Sequence, residues 1–130
     1  MITKNQKLSN IRKKRKIAKA IFYIHSSFNN TIITLTNFKH EVIFWASGGS
    51  CGFKGARKST PFSAKRAVEK VIQFAHEQGI KTIQIIIKGP GAGRQTALRS
   101  LQNSNFEIIL ISDRTAIPHN GCRPPKKRRV

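Results

Sequence analysis

From residue 20 onward, short apolar segments alternate with polar breaks, and the period changes partway along. Residues 20–25 (AIFYIH), 31–37 (TIITLTN) and 41–46 (EVIFWA) are rich in Ile, Phe, Thr and Trp and predict three strands. The links between them, 26–30 and 38–40, are short enough for an antiparallel meander. A glycine-rich loop follows at 47–59 (SGGSCGFKGARKS). Thr60 is a capping residue and Pro61 suits the first helical position, where its missing N–H is no loss. Ala64, Ala67, Val68, Val71, Ile72 and Ala75 then recur at helical spacing, and Gly79 supplies the stop. Residues 82–88 (TIQIIIK) are nearly all apolar, as in a strand covered on both faces. Residues 89–93 (GPGAG) turn the chain into a second helix at about 94–104, with Ala97, Leu98 and Leu101 inward. Residues 106–112 (FEIILIS) predict a further continuous apolar strand.

The order β-β-β-α-β-α-β predicts one α/β domain built on a mixed five-stranded sheet with packed helices. Strand–helix alternation in the second half implies parallel strands joined by right-handed crossovers. A domain of this size buries roughly two-thirds of its unfolded surface and can fold alone. The chain divides into a basic extension at 1–19, an α/β core at 20–114 and a basic tail at 115–130, with both ends disordered when free.

Charge changes this picture most. The chain has 25 Lys and Arg against 5 Asp and Glu, a net +20. Eight of the cations lie in residues 1–19 and five in residues 120–130, with no acid in either stretch. A modestly basic core with two strongly basic ends repels itself and calls for a polyanionic partner. The apolar runs are too short to span a bilayer. Cys51 and Cys122 are too few for a disulfide scaffold and read as reduced thiols. The N-terminal stretch has no apolar segment of the secretory type, and Ser9 is its only serine, which argues against a transit peptide. The bias to 18 Ile, 15 Lys and 8 Asn against 4 Val points to an AT-rich genome such as an organelle's.

Catalysis finds little to work with. Two-metal nucleases need converging carboxylates. Here Glu69 and Glu77 read as solvated helix face, Glu41 sits at a turn, and Asp113 ends the last strand, where it can cap or pair with Arg114. His119 and Cys122 offer two ligands where a structural zinc takes four, and His25, His40 and His76 have no ligand spacing. No acid is placed to orient a Cys–His nucleophile. The expectation is no catalytic residue, no metal and no cofactor.

Two glycine-rich segments point to phosphate instead. GPGAG follows a strand and opens a helix, where N–H groups and the helix dipole attract anions. It lacks the Gly-Lys-Ser/Thr of a nucleotide-binding loop and the Rossmann spacing. Tight packing is the plain alternative, but Arg94 directly after it and Arg99 favour a phosphate site including Gly89, Gly91 and Gly93. In the 47–59 loop, Gly48, Gly49, Gly52 and Gly55 let backbone approach closely. Lys54, Arg57 and Lys58 add cations and Phe53 a stacking plane, a mixture suited to a nucleic-acid backbone and an unstacked base. A solvated surface loop is the alternative there.

Four segments appear in order: Ser27-Phe28-Asn29-Asn30-Thr31-Ile32, Gly52-Phe53-Lys54-Gly55, Lys88-Gly89-Pro90-Gly91-Ala92-Gly93-Arg94, and Ile117-Pro118-His119-Asn120-Gly121-Cys122-Arg123-Pro124-Pro125-Lys126. Together they resemble the small-subunit ribosomal protein eleven family, of bacterial and organellar type, from about residue 17 onward. The final motif is the most specific, and the Ile/Lys/Asn bias resembles a plastid-encoded member. The resemblance implies a ribonuclease-H-like topology without nuclease activity. It also implies binding to small-subunit (16S-type) rRNA on the platform, near the mRNA exit path and the E site. Ribosomal proteins six, seven and eighteen are the implied neighbours, and no membrane or small-molecule substrate is implied. The implied location is the ribosome, in a plastid stroma or else a bacterial cytoplasm.

The RNA contacts are expected at Arg12, Lys13, Lys14, Arg15 and Lys16, at Asn29 and Asn30, and at Phe53, Lys54, Gly55, Arg57 and Lys58. They continue at the 89–94 turn and Arg99, then along His119, Asn120, Arg123, Lys126, Lys127, Arg128 and Arg129. Asn120-Gly121 is also set up for succinimide formation, since Gly121 has no side chain to hinder it. Departures from the family pattern fall at 37–41 and 103–105, which lack a usual glycine, at Gln95, where an acid is common, and at 114–116. The closing PKKRRV also resembles a nuclear import signal, so a general nuclear nucleic-acid binder is the alternative. The core carries no helix-turn-helix, zinc-finger or RNA-recognition-motif signature to support it.

Overall fold

Side-chain alternation builds one apolar face. In β1 (Lys19–Ser26), Ala20, Phe22 and Ile24 turn the same way. β2 (Thr31–Thr36) adds Ile33 and Leu35, and β3 (Val42–Ser47) adds Ala46. The structure is a computed structural model and describes residues 18–127 and residue 129. β1 and β2 are antiparallel with Phe22 opposite Leu35, and β2 and β3 are antiparallel with Thr34 opposite Trp45. This is the expected meander.

The following helix starts and stops where its residues dictate. α1 (Pro61–Glu77) is capped by the Thr60 hydroxyl, which accepts from the Ser63 amide at 3.3 Å. Ala64, Ala67, Val68, Val71 and Ala75 are fully buried. Gly79 takes φ +76°, and the Ile80 amide donates to the Ala75 carbonyl at 3.1 Å, closing the helix end. β4 (Thr82–Lys88) runs parallel to β1, with Phe22 opposite Ile85. α2 (Gly93–Gln102) buries Ala97 and Leu101. β5 (Glu107–Asp113) then runs parallel to β4. The sheet order is β3-β2-β1-β4-β5, with β2 antiparallel to both neighbours. This is the ribonuclease-H-like arrangement that the resemblance implies.

Three details differ from the sequence expectation. First, among the described residues both helices cover one and the same face of β4. α1 and α2 contribute to the same cluster as Phe22, Ile33, Ile83, Ile85 and Ile87, so they share one face. The other face displays Trp45, 57% exposed, with Ile32 and Leu110. Ile21 and Ile86 belong to that open face and are still buried, hemmed in by cross-strand neighbours. Second, the apolar run in β5 is largely exposed at Ile109, Leu110 and Ile111, because among the described residues this strand is an edge with only β4 beside it. A register shift opposite Ile83 and Gln84 offsets it further. Third, neither Asn103 nor Asn105 provides a left-handed stop. The Asn103 amide donates to Arg99 O at 2.9 Å and the Ser104 hydroxyl donates to Leu101 O, which closes α2 without positive φ.

Candidate nucleic-acid interface

The β1–β2 turn is a small hydrogen-bonded unit. The Ser27 amide donates to the Asn30 carbonyl at 2.9 Å, and the Asn30 side-chain oxygen accepts from the Thr31 amide at 2.9 Å. Asn29 points outward, whereas Asn30 is half-buried and holds the turn. Against this turn lies the start of the glycine loop. A Cβ on Gly48 would stand 3.0 Å from Asn30 Oδ1 and 3.2 Å from the Lys58 carbonyl, so the three segments meet closely here and a larger residue would push them apart.

Beyond Gly52 (φ +94°) the loop rises to Lys54 and then forms a 3-10 turn, Gly55–Ser59. The glycine-rich sequence predicts loop throughout 47–59, and the structure adds this turn. The Ser63 hydroxyl donates to the Lys58 carbonyl at 2.7 Å, and the Thr60 hydroxyl to the Arg57 carbonyl at 2.7 Å. These bonds occupy two backbone carbonyls of the turn, while the Lys54 and Arg57 side chains are exposed and Lys58 is half-buried. Among the described residues the one ion pair is Arg94–Asp113. The loop cations therefore have no carboxylate partner there.

The 89–93 turn, where a phosphate site is expected, is packed closely against the end of β1. Gly89 has φ +97°, and a Cβ on it would overlap the Ser26 carbonyl oxygen. The Gly91 amide donates to that same carbonyl at 2.9 Å, and the Gly89 amide donates to Thr115 Oγ1 at 3.2 Å. A Cβ on Gly93 would come within 2.6 Å of the Ala64 Cβ. These glycines pack strand, turn and helix together, and two of their N–H groups are engaged within the chain.

Arg94 is engaged as well. It donates through Nη1 to the Gly89 carbonyl and to Thr115 Oγ1, each at 3.2 Å, and through Nη2 to the Asp113 carboxylate. The Asp113 carboxylate also accepts from the Thr115 amide at 3.0 Å and hydroxyl at 2.6 Å. The Arg94 guanidinium, followed by the two Thr115 donors, holds the Asp113 carboxyl well below the usual carboxylate range. Asp113 thus does cap Thr115, but its cationic partner is Arg94 rather than Arg114. The knot fixes where the tail leaves β5.

Arg99 is exposed on α2, about 140° around the helix from Arg94 at 100° per residue, so the two do not converge. His119, Asn120, Arg123, Lys126 and Lys127 are all exposed, as is Arg129, in a tail without helix or strand among the described residues. Asn120 takes φ +54°. Arg12, Lys13, Lys14, Arg15, Lys16 and Arg128 lie outside the described residues. Phe62, Arg66 and Lys70 lie beside the glycine loop and were absent from the sequence expectation. Their four-residue spacing on α1 was the available signal.

Comparison with known proteins completes the site. The family model described as Ribosomal protein S11 matches residues 20–129. The chain belongs to this family. Its match takes in both glycine segments and the basic tail through residue 129. "Small ribosomal subunit protein uS11c" of Tupiella akineta is 57% identical over 118 residues, covering 91% of each chain. The protein of the same name from Physcomitrium patens is 51% identical over 125 residues, covering 96% of each. "Small ribosomal subunit protein uS11" of Wigglesworthia glossinidia brevipalpis is 52% identical over 126 residues, covering 97% of this chain and 96% of its own.

The departure from the S11-family pattern at 37–41 has a structural answer. At the β2–β3 hairpin the missing glycine is replaced by His40, which itself takes φ +65°. The Asn37 side-chain oxygen accepts from the Lys39 amide at 2.9 Å and the Glu41 amide at 3.0 Å, and the Tyr23 hydroxyl lies 2.9 Å from His40 Nδ1. Local side-chain bonds thus hold a left-handed residue in a tight turn. Gln95, next to Arg94 in sequence, is exposed.

Proposed function

We propose that this chain is a structural constituent of the small ribosomal subunit that binds small-subunit rRNA by phosphate contact and shape. Membership of the ribosomal protein S11 family supports the ribosomal role, and plastid uS11c and bacterial uS11 relatives support a ribosomal location in either compartment. The observation that carries the RNA reading is the cation-bearing 3-10 turn. Lys54 and Arg57 are exposed and Lys58 half-buried on a turn whose Arg57 and Lys58 carbonyls are bonded within the chain. Arg99, His119, Asn120, Arg123, Lys126, Lys127 and Arg129 extend this surface. Arg94 acts as the anchor that aims the tail. The role includes assembling the platform and shaping the mRNA exit and E-site region beside ribosomal proteins six, seven and eighteen, with no catalytic step.

The test is titration of a small-subunit rRNA fragment at several salt concentrations. Replacing Arg57 and Lys58 by Ala removes two cations, each phosphate contact contributing about 0.7–0.9 to the slope of log K against log salt. The double variant is expected to bind more weakly with a shallower slope. An unchanged slope removes these residues from the interface.

A further inference from the structure

We infer that a cleft between the glycine loop and α1 receives an unpaired base of single-stranded RNA, with Phe62 as stacking platform and Arg66 and Lys70 as phosphate ligands. The inference rests on the RNA-binding reading above and adds a chemically distinct subsite to it. The cleft is a shallow depression, open to solvent, of about 520 Å³, lined by Cys51, Phe53, Phe62, Arg66 and Lys70 among others. Phe62 is 55% exposed at the start of α1, where no core contact requires an aromatic ring. Phe53 meets it edge to face, with ring centroids 5.7 Å apart and planes at 84°. One loop and one helix thus hold two rings in a fixed mutual orientation.

Charge completes the subsite. Phe62, Arg66 and Lys70 recur every four residues and so share one face of α1. The Arg66 guanidinium carbon stands 5.2 Å from the Phe62 ring centroid. Such a contact is weak where water has access, so a base can take the guanidinium's place on the ring. Arg66 gains in exchange a charge-assisted bond to the phosphate of the same nucleotide. A base paired within a helix presents no free face and is excluded by shape.

The experiment measures affinity for two probes, an oligoadenylate of about ten nucleotides and a blunt RNA duplex of matched charge, at fixed low salt. Phe62→Ala is expected to weaken oligoadenylate binding about tenfold or more and to leave duplex binding within about twofold. Phe62→Tyr, which keeps the ring, is expected to retain wild-type affinity. Oligoadenylate, unlike the duplex, is also expected to slow maleimide labelling of Cys51 on the cleft wall. Unchanged oligoadenylate affinity in Phe62→Ala overturns the base subsite while RNA binding stands. Equal loss for both probes means that Phe62 acts through the fold, and also overturns it. Displacement of oligoadenylate from the cleft by polyglutamate as readily as by RNA marks a protein-binding surface instead. A wild-type chain that binds neither probe refutes the RNA-binding reading and this inference together.

Discussion

Arg94, Asp113 and Thr115 come from three different segments, yet they determine how the basic tail leaves the core. Because the folded state holds the Asp113 carboxyl below its ordinary value, the stabilisation it confers is present above about pH 4, the unfolded value. It is lost as pH falls below that toward the folded value, since protonation breaks the bond to Arg94. Denaturant midpoints measured from neutral to acid pH should therefore fall less steeply for Asp113→Asn than for the wild type. Superimposable acid limbs would remove the knot from the account of tail anchoring. At this scale the exposed loop cations were legible, because a charge in a glycine-rich loop has few ways to be buried. The employment of Arg94 was not legible, because its acid partner is nineteen residues away across a parallel strand pair.

At the scale of elements, the turns separate two uses of glycine. Gly52 and Gly89 have nearly the same φ, +94° and +97°, but no atom lies within 4 Å of a Cβ built on Gly52, while Gly89 meets the Ser26 carbonyl. Gly52→Ala should cost only conformational strain, about 1–2 kcal/mol. Gly89→Ala must also displace the β1–β2 turn and should lose more than about 3 kcal/mol. Urea denaturation of the two variants checks this, and equal losses would contradict the packing role. The caps of α1 were readable from Thr60, Pro61 and Gly79, since each acts on its own backbone. The exposure of β5 was not, because an apolar run says that a strand prefers burial and not whether a neighbour arrives to provide it.

For the whole molecule, +20 on 130 residues makes the free chain its own adversary, and a polyanion relieves the repulsion. A small-subunit rRNA fragment at a hundred times its Kd should stabilise the fold by about 2.7 kcal/mol, read as a rise in Tm. At about 1 M salt, where the Debye length is near 3 Å, the rise should largely vanish. An equal rise in both salts would argue against phosphate neutralisation as the main source of affinity. The sequence by itself determined the order of strands and α-helices, the limits of α1, the family and the polyanionic class of partner. Each of these depends on local spacing or summed charge, which need no contact map. Only the tertiary structure decided that both helices share one face, that Arg94 is tied to Asp113, and that Phe53 and Phe62 meet beside Arg66. Those outcomes depend on which distant segments become neighbours, and a side chain's partners are chosen by that proximity.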